Sequence, residues 1–203
     1  MSELHVILDI DQTMIDNMSM SDYDKHKLNL RKPDLIDKDM CIWMRPNLVD
    51  FLKFLDKNVK YISIWTNGST SWLFFVVKNI ISKHIPHNRF HLLLSIEHST
   101  PFVVDNVKMH IKDTNNILQK FLHKKISLKN TILIDDNYFN CIYNKFNSLP
   151  IKKYFIMHEE KCKNDLQFIK QIITVLKRSN DVSKTLKNVY NGVEDYNKLF
   201  TLQ

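Results

Sequence analysis

Apolar runs of strand length alternate with amphipathic stretches of helical period along most of this chain. Such alternation predicts right-handed crossover connections, and therefore an α/β fold with a mainly parallel sheet and helices on both faces. The predicted strands are residues 4–10, 59–65, 91–97, 130–136 and 153–158. The predicted helices are residues 47–57, 71–83, 113–123 and 165–178.

One segment interrupts the alternation. Residues 17–39 are polar and follow neither the helical nor the strand period. Together with the residues on either side, they predict a small insertion of residues 14–42 after the first strand, lying over one edge of the sheet. No segment of the size of a large cap domain interrupts the pattern elsewhere.

The composition is that of an ordinary globular protein, with 44% hydrophobic and 25% charged residues in a chain of 203. No apolar run approaches the roughly 18 residues that a membrane span needs, and the N-terminus lacks the basic start of a signal peptide. We therefore expect a protein of the cytoplasm or nucleus with no membrane partner. Neither a disulfide framework nor a zinc site is indicated by the three cysteines, which are Cys41, Cys141 and Cys162.

The net charge of +7 comes mainly from lysine. This charge is consistent either with a solvated, lysine-rich surface or with attraction for an anionic partner such as a phosphopeptide or a nucleic acid. No basic run is interleaved with aromatic residues, so a nucleic-acid partner is possible but not indicated. The oligomeric state cannot be predicted from these features.

Polar side chains follow three of the predicted strands at the point where each strand ends. Ligands of open parallel sheets bind outside the carboxyl ends of the strands, so these side chains predict a single site. They are Asp9 and Asp11 after the first strand, Thr66 and Asn67 after the second, and Asp135 and Asp136 after the fourth.

Four carboxylates in one cleft repel one another. At about 4 Å and an effective dielectric constant near 20, each close pair costs roughly 4 kcal/mol. A cation would relieve this repulsion, and carboxylate oxygens without cysteine or histidine ligands favour Mg²⁺ or Ca²⁺ over zinc. Mg²⁺ held by one or two carboxylates and a phosphate is the common arrangement in phosphoryl chemistry, so Mg²⁺ is the predicted cofactor.

The segment ILDIDQT matches the pattern D-x-D-x-T, the first motif of the haloacid dehalogenase superfamily. The segments WMRPNLVDFLKFL, ISIWTNGS, HIKDTNNI and TILIDDN follow in the order of one branch of that superfamily. The chain therefore resembles, over roughly residues 4–178, the phosphatases that act on the C-terminal domain of RNA polymerase II and their small relatives. The resemblance implies a Rossmann-like fold with a catalytic domain of residues 1–180. The sequence after it predicts a C-terminal helical tail of residues 181–203, with a partly loose tail as the alternative.

The resemblance also implies the catalytic roles. Asp9 is the nucleophile that forms an aspartyl phosphate, and its carboxylate ligates Mg²⁺. Asp11 is the general acid that protonates the leaving oxygen and then the base that activates water, and its backbone carbonyl ligates Mg²⁺.

Phosphate and metal contacts are implied in the same way. Thr66 donates its hydroxyl to the transferring phosphoryl group, helped by a backbone N–H near Asn67. Lys112 neutralises the phosphate and the nucleophile, with Lys108 as the alternative. Asp135 and Asp136 hold the metal directly or through water, and which of them ligates directly stays open.

Three features of the sequence could have either a functional or a purely structural role. Thr66 could cap the helix that follows it. Arg45 could contact substrate, although a structural role at the start of a helix is favoured. The apolar side chains of the insertion could line a pocket for a peptide side chain or pack on the sheet, and the sequence favours neither; they are Met18, Met20, Leu35, Ile36, Met40 and Ile42.

The predicted function is that of a Mg²⁺-dependent phosphatase for phosphoserine and phosphothreonine in proteins, a phosphoric monoester hydrolase. One alternative is the same chemistry on nucleic-acid ends or small phosphate esters. Another is a catalytically inactive binding or scaffold protein, against which the complete set of motif residues argues. The chain has no alanine and only two glycines, a bias that suits an AT-rich genome such as that of a large DNA virus or a protozoan.

Overall fold

The computed structural model of the chain describes residues 3–104, 106–121 and 125–191. Its strands are β1 (His5–Leu8), β2 (Ile15–Ser19), β3 (Leu35–Asp37), β4 (Met40–Met44), β5 (Tyr61–Trp65), β6 (Phe90–Leu94), β7 (Thr100–Val104), β8 (Val107–Ile111), β9 (Thr131–Asp135) and β10 (Ser148–Pro150). Its α-helices are α1 (Met20–His26), α2 (Leu48–Asn58), α3 (Thr70–Asn79), α4 (Thr114–Lys120), α5 (Tyr138–Tyr143), α6 (Asp165–Leu176) and α7 (Val182–Asn191).

The central sheet has five parallel strands in the order β10-β9-β1-β5-β6. β1 is the middle strand, and Leu8 pairs with Ile64 on one side and with Ile134 on the other. The carboxyl ends of β1, β5 and β9 therefore lie next to one another. The predicted parallel α/β sheet is confirmed.

Helices cover both faces of the sheet because successive side chains of a strand point to opposite sides. Val6 and Leu8 belong to the larger core, together with buried residues of α2, α3 and α6. Ile7 and Leu133 belong to a second cluster that includes Ile117 of α4. The prediction of helices on both faces is confirmed.

The insertion forms a small sheet of its own. β2, β4 and β3 pair antiparallel in that order, with α1 between β2 and β3. β4 carries most of the buried side chains, because Cys41, Ile42 and Trp43 are all fully buried. The sequence pattern predicted an insertion here, whereas its strands were not predicted.

A β-hairpin joins the edge strand β6 to α4. β7 and β8 pair antiparallel from Thr100 opposite Ile111 to Val104 opposite Val107. Lys112 comes directly after β8, so the hairpin brings this lysine back to the carboxyl ends of the central strands. The hairpin was not among the predicted elements.

The prediction of a last strand at residues 153–158 is wrong. The fifth strand of the sheet is β10, which ends at Pro150, and residues Ile156–Cys162 form a 3₁₀ helix. The backbone N–H groups of this segment donate elsewhere: that of Tyr154 to the Gln12 carbonyl at 2.7 Å, and that of Ile156 to the Asp16 carboxylate at 2.8 Å. The segment therefore contacts the loop after β1 and the side chain of Asp16 in β2, and the structure assigns it to no strand of the described sheets.

The predicted division into a domain of residues 1–180 and a tail of residues 181–203 stays a prediction. α7 begins inside that tail, and its Val182 and Leu186 are buried in the larger core. Residues 192–203 of the predicted tail lie outside the described residues. Among the residues that the structure describes, no helix is both long and apolar enough to cross a membrane.

Candidate active site

Three carboxylates meet where β1 and β9 end. Asp9 follows β1 directly, Asp135 is the last residue of β9, and Asp136 comes next. The parallel register sets Asp9 beside Asp135, and the Asp9 backbone N–H donates to the Ile134 carbonyl at 3.0 Å. All three side chains are buried.

Lys112 supplies the positive charge of this cluster. Its side chain is only 1% exposed, and its ammonium donates to Asp9 Oδ1 and, at 2.8 Å, to Asp135 Oδ2. Helix α5 holds the lysine backbone: the Lys112 N–H donates to Asn140 Oδ1 at 3.1 Å, and its carbonyl accepts from Asn144 Nδ2 at 2.6 Å. The exposed Lys108 lies on the hairpin, so the structure favours Lys112 over Lys108 as the lysine of the site.

The protonation equilibria of the cluster show unbalanced charge. Burial raises the pKa of Asp9 to about 7; Lys112 opposes this rise, and Asp136 and Asp11 add to it. Burial also raises the pKa of Asp135 to about 6, again against Lys112. Burial disfavours the charged form of Lys112, but the Asp135 and Asp9 carboxylates outweigh it and raise the pKa of the lysine. The Lys112 ammonium therefore contacts two of the three buried carboxyl groups and is the positive charge nearest to them.

The donor set fits a divalent cation with a preference for oxygen. One carboxylate oxygen from each of Asp9, Asp135 and Asp136 lies within 4.8 Å of the others. Thr13 fixes Asp136, because its hydroxyl donates to Asp136 Oδ1 at 3.1 Å and accepts from the Asp136 N–H at 3.0 Å. Mg²⁺ takes such hard oxygen ligands and completes its shell with water or phosphate.

Asp11 lies on the other side of the cleft, against the end of β5 and the start of α3. Its Oδ2 accepts from the Thr66 hydroxyl at 2.9 Å. The Trp72 indole N–H donates to Oδ1 at 2.9 Å and to Oδ2 at 3.2 Å. The Thr66 hydroxyl also accepts from the Gly68 N–H at 2.8 Å, and Ser69, not Thr66, caps α3. The alternative that Thr66 is the helix cap is therefore wrong.

Asn67 borders the cleft, but its side-chain amide serves the hairpin. Its Nδ2 donates to the His110 carbonyl at 2.9 Å, and its Oδ1 accepts from the Ser99 hydroxyl at 2.7 Å. The Ser99 hydroxyl in turn accepts from the Trp65 indole at 3.0 Å. These contacts tie the loop after β5 to the hairpin and leave the predicted phosphate contact to the backbone near Asn67.

Most of these groups line one open cleft of about 510 Å³, although the buried Thr13 and Thr66 are not among its lining residues. The insertion and the segment after β10 contribute Asn17, Met40 and Lys153 to its rim. Its other lining residues are Asp9, Asp11, Gln12, Asn67, Gly68, Trp72, Lys112, Asp135, Asp136, Asn137 and Asn140.

The apolar side chains of the insertion pack mainly on the protein itself. Ile42 is buried in the larger core, and Leu35 packs against that core. Met18 and Met20 pack against the cluster of Cys41 and Trp43. Of the six predicted candidates, Met40 alone lines the cleft described above.

Arg45 has the structural role that the sequence favoured. Its side chain is fully buried and donates to Asp165 at 2.7 Å, to the Gln12 carbonyl at 2.9 Å and to the Lys152 carbonyl. Its guanidinium lies over the Tyr154 ring, 5.4 Å from the centroid. The arginine thus supports the loop that carries Asp11 from behind.

Two residues of the site were not predicted from the sequence. Trp72 looked like one apolar residue among many in α3, and Asn140 looked like an ordinary polar residue. Asn140 donates to Asp135 Oδ2 at 3.0 Å and is buried, so it orients a carboxylate of the cluster. Because α5 was not among the predicted helices, no pattern in the sequence marked Asn140 as part of the site.

Known proteins resemble this chain in sequence. The family model of the NLI interacting factor-like phosphatases matches residues 4–184. A putative CTD phosphatase-like protein of Invertebrate iridescent virus 3 is 29% identical over 181 residues, which are 81% of this chain and 91% of that protein.

The fold resembles that of Fcp1, an essential RNA polymerase II CTD phosphatase, with a TM-score of 0.52 and 18% identity. The match covers 96% of this chain and 55% of the Fcp1 chain, so this chain spans about half the length of Fcp1. The predicted resemblance to the polymerase-tail phosphatase branch of the haloacid dehalogenase superfamily is confirmed. With nearly its whole described length matched, the chain belongs to the family of NLI interacting factor-like phosphatases.

Proposed function

We propose that this phosphatase hydrolyses phosphoserine and phosphothreonine in protein substrates, with Mg²⁺, through an aspartyl phosphate on Asp9. The observation that carries the proposal is the facing arrangement in one cleft: Asp9 with Lys112 on one side, and Asp11 held by Thr66 on the other.

The first step transfers the phosphoryl group to the protein. Asp9 attacks phosphorus, the bond to the serine oxygen breaks, and Asp11 gives that oxygen a proton. Lys112 lies against Asp9 and offsets the repulsion between the carboxylate and the phosphate dianion. In this step the Thr66 hydroxyl would turn its one proton from Asp11 Oδ2 to a phosphoryl oxygen, and a backbone N–H near Asn67 would donate to the same group.

The second step releases phosphate. Asp11, now a carboxylate, takes a proton from a water molecule that attacks phosphorus, and the bond to Asp9 breaks. Both aspartates return to their starting states, so the cycle consumes one water molecule and yields the alcohol and inorganic phosphate. Splitting hydrolysis into two displacements is the usual advantage of a covalent intermediate.

Asp9, Asp135 and Asp136 would hold Mg²⁺ with the Asp11 backbone carbonyl. When bound, the cation would offset the negative charge of the buried carboxylates and of the transferring phosphoryl group. Thr13 and Asn140 orient Asp136 and Asp135 through hydrogen bonds.

A protein substrate is supported by the openness of the cleft and by the family. The elements described between residues 3 and 191 include no separate cap domain over the site, so an extended peptide can lie across it. Asn17, Met40 and Lys153 would meet the residues that flank the phosphate. Fcp1 is a phosphatase of the RNA polymerase II C-terminal domain, and a serine-containing, proline-containing tail peptide is the substrate we propose for this chain.

A panel of substrates tests the proposal. We expect a phosphoserine peptide with the sequence of the polymerase tail to give a higher kcat/KM than free phosphoserine, a sugar phosphate or a 5′- or 3′-phosphorylated oligonucleotide, because flanking contacts made in the transition state raise kcat/KM. Turnover should require Mg²⁺. An oligonucleotide preferred by tenfold or more, about 1.4 kcal/mol in the barrier, would favour the nucleic-acid alternative.

The variant that tests the nucleophile is Asp9→Asn, and its control is Asp24→Asn. Asp9→Asn should fold normally, lose turnover of every substrate in the panel and form no acid-trapped phosphoprotein from a ³²P-labelled peptide. Asp24→Asn, at an exposed position of α1, removes one carboxylate away from the cleft and should retain activity. Near-normal turnover by Asp9→Asn would contradict the assignment, and an absence of turnover in the wild type with every ester would favour a scaffold.

A further inference from the structure

The side chain of Asp11 is held by a tryptophan that lies outside the motif that contains this aspartate. Trp72 is the third residue of α3, and its indole N–H reaches both Asp11 oxygens, at 2.9 and 3.2 Å. Thr66 contacts only Oδ2. Two donors from different elements therefore fix the rotation of the Asp11 carboxyl group.

An indole N–H can donate a hydrogen bond but cannot accept one, and it has no proton to exchange at ordinary pH. Trp72 therefore orients Asp11 without competing for its proton. The Thr66 hydroxyl makes a second hydrogen bond, because its oxygen also accepts from the Gly68 N–H at 2.8 Å. The tryptophan is thus the contact that touches both oxygens of the carboxyl group.

Neighbouring residues of α3 and its cap fix the position of the indole ring. Its ring stacks on Phe75 at a centroid distance of 5.7 Å and an interplanar angle of 15°. Ser69 caps α3 by accepting from the Trp72 backbone N–H at 3.2 Å, which sets the direction of the side chain.

Gly68 also lies against the indole ring. A Cβ at that position would lie 2.5 Å from Trp72 Cδ1, far inside ordinary contact distance. The backbone of Gly68 does not have a positive φ, so conformational freedom does not explain the glycine. The space that the indole occupies does.

We propose that Trp72 is a positioning residue for Asp11, and that position 68 is a glycine to admit its indole ring. The inference rests on the proposed function, in which Asp11 gives a proton to the leaving oxygen. It adds that this transfer depends on a side chain of α3, outside the D-x-D-x-T motif.

Leaving groups of different basicity give the test. A serine alkoxide leaves poorly without a proton, whereas p-nitrophenolate leaves readily without one. A loss of orientation at Asp11 should therefore lower kcat/KM for a phosphoserine peptide much more than for p-nitrophenyl phosphate. The quantity kcat/KM reports only the steps up to phosphoryl transfer to Asp9, so hydrolysis of the shared intermediate does not enter.

The principal variant is Trp72→Phe, which keeps an aromatic ring and removes the N–H. General acid catalysis is worth about 10²–10⁴-fold, so we expect Trp72→Phe to lose about tenfold or more with the peptide and less than about threefold with p-nitrophenyl phosphate. Asp11→Asn should show the same discrimination more strongly. Gly68→Ala, which keeps the indole but crowds it, should show it too, and serves if Trp72→Phe does not fold.

The matched control is Trp43→Phe. The Trp43 indole is fully buried and, like that of Trp72, donates a hydrogen bond, in this case at 3.0 Å to the Arg31 carbonyl, away from the cleft. This change should therefore affect both substrates equally. Equal losses with both substrates in Trp72→Phe and Gly68→Ala, while Asp11→Asn still discriminates, would overturn the inference and leave the proposed function intact. If Asp11→Asn does not discriminate either, the role of Asp11 in the proposed function fails and the inference falls with it.

Discussion

His5 lies in the middle strand of the sheet with a fully buried side chain. Its ring nitrogens contact the Thr131 hydroxyl at 3.1 Å and the Ser63 hydroxyl at 2.8 Å, one on each neighbouring strand. The rings of Tyr61 and His91 pack edge-on against it. Burial, together with the nearby His91, lowers the pKa of His5 to about 3. The folded protein thus stabilises the neutral imidazole.

We predict that acid destabilises the protein through His5. The unfolded chain protonates this imidazole near pH 6.5, whereas the folded chain keeps it neutral to about pH 3. The contribution of His5 to the free energy of unfolding is therefore complete above that range and falls by about 1.4 kcal/mol per pH unit as the pH drops below 6.5. Urea denaturation between about pH 7.5 and pH 5 measures the net slope, to which Asp9 and Asp135, with their raised pKa values, contribute in the opposite sense. The difference between the wild type and a His5 variant isolates the contribution of His5.

His5→Gln should reduce the slope, taken as the change in the free energy of unfolding per unit rise in pH, by about the same amount relative to the wild type, because glutamine does not titrate. The exposed His87 offers the control, and His87→Gln should leave the slope as it is in the wild type. Identical slopes for all three proteins would show that His5 is not the group responsible.

Arg45 joins four separate segments of the fold. It follows β4, and it contacts the loop after β1 through Gln12, the segment after β10 through Lys152, and the start of α6 through Asp165. No side-chain partner is present in the described residues for its buried Nε. Because one guanidinium satisfies two carbonyls and a carboxylate, its loss leaves several polar groups unpaired at once.

We predict that Arg45→Met lowers the free energy of unfolding by about 3–5 kcal/mol, the usual cost of removing one partner of a buried ion pair. Arg31→Met is the comparison. The ion pairs of Arg31 with Asp34 and Glu159 are partly exposed and should contribute about 1 kcal/mol or less, so even with the loss of its hydrogen bond to the Met44 carbonyl the total loss should be smaller. Urea denaturation measures both values. Similar losses in the two variants would contradict the structural role assigned to Arg45.

Elements with local causes could be predicted from the sequence. β1, β5 and β9 are buried on both faces and read as continuous apolar runs, and α6 has a clear apolar face. The strands of the insertion could not be predicted in this way. In β2 only two of five residues are buried, and its pairing with β4 depends on partners more than 20 positions away.

The residues of the site also fall into those that could be predicted from the sequence and those that could not. Asp9 and Asp135 could be placed together because parallel strands of one sheet end at the same edge. The resemblance supplied Lys112, whose approach depends on a hairpin that no local pattern predicted. Trp72 and Asn140 reach the site from helices whose rotation is set by packing, so their contacts with Asp11 and Asp135 required the folded structure.

Folding creates the carboxylate cluster, because Asp9 is separated by more than 120 residues from Asp135 and Asp136. The unfolded chain therefore offers no comparable site for a cation. In the folded chain these three carboxyl groups lie close together around the Lys112 ammonium, and burial raises the pKa of each of them. Cation binding at this site should consequently stabilise the fold as a whole.

We predict that Mg²⁺ raises the thermal midpoint. At a hundredfold excess over its dissociation constant, a ligand of the folded state adds about 2.7 kcal/mol, or roughly 5–10 °C for a chain of this size. The double change Asp135→Asn and Asp136→Asn should remove most of this shift. Asp24→Asn with Asp39→Asn, two exposed positions of the insertion, removes the same charge and should keep the shift. A full Mg²⁺ response in the first double variant would place the cation outside the cleft.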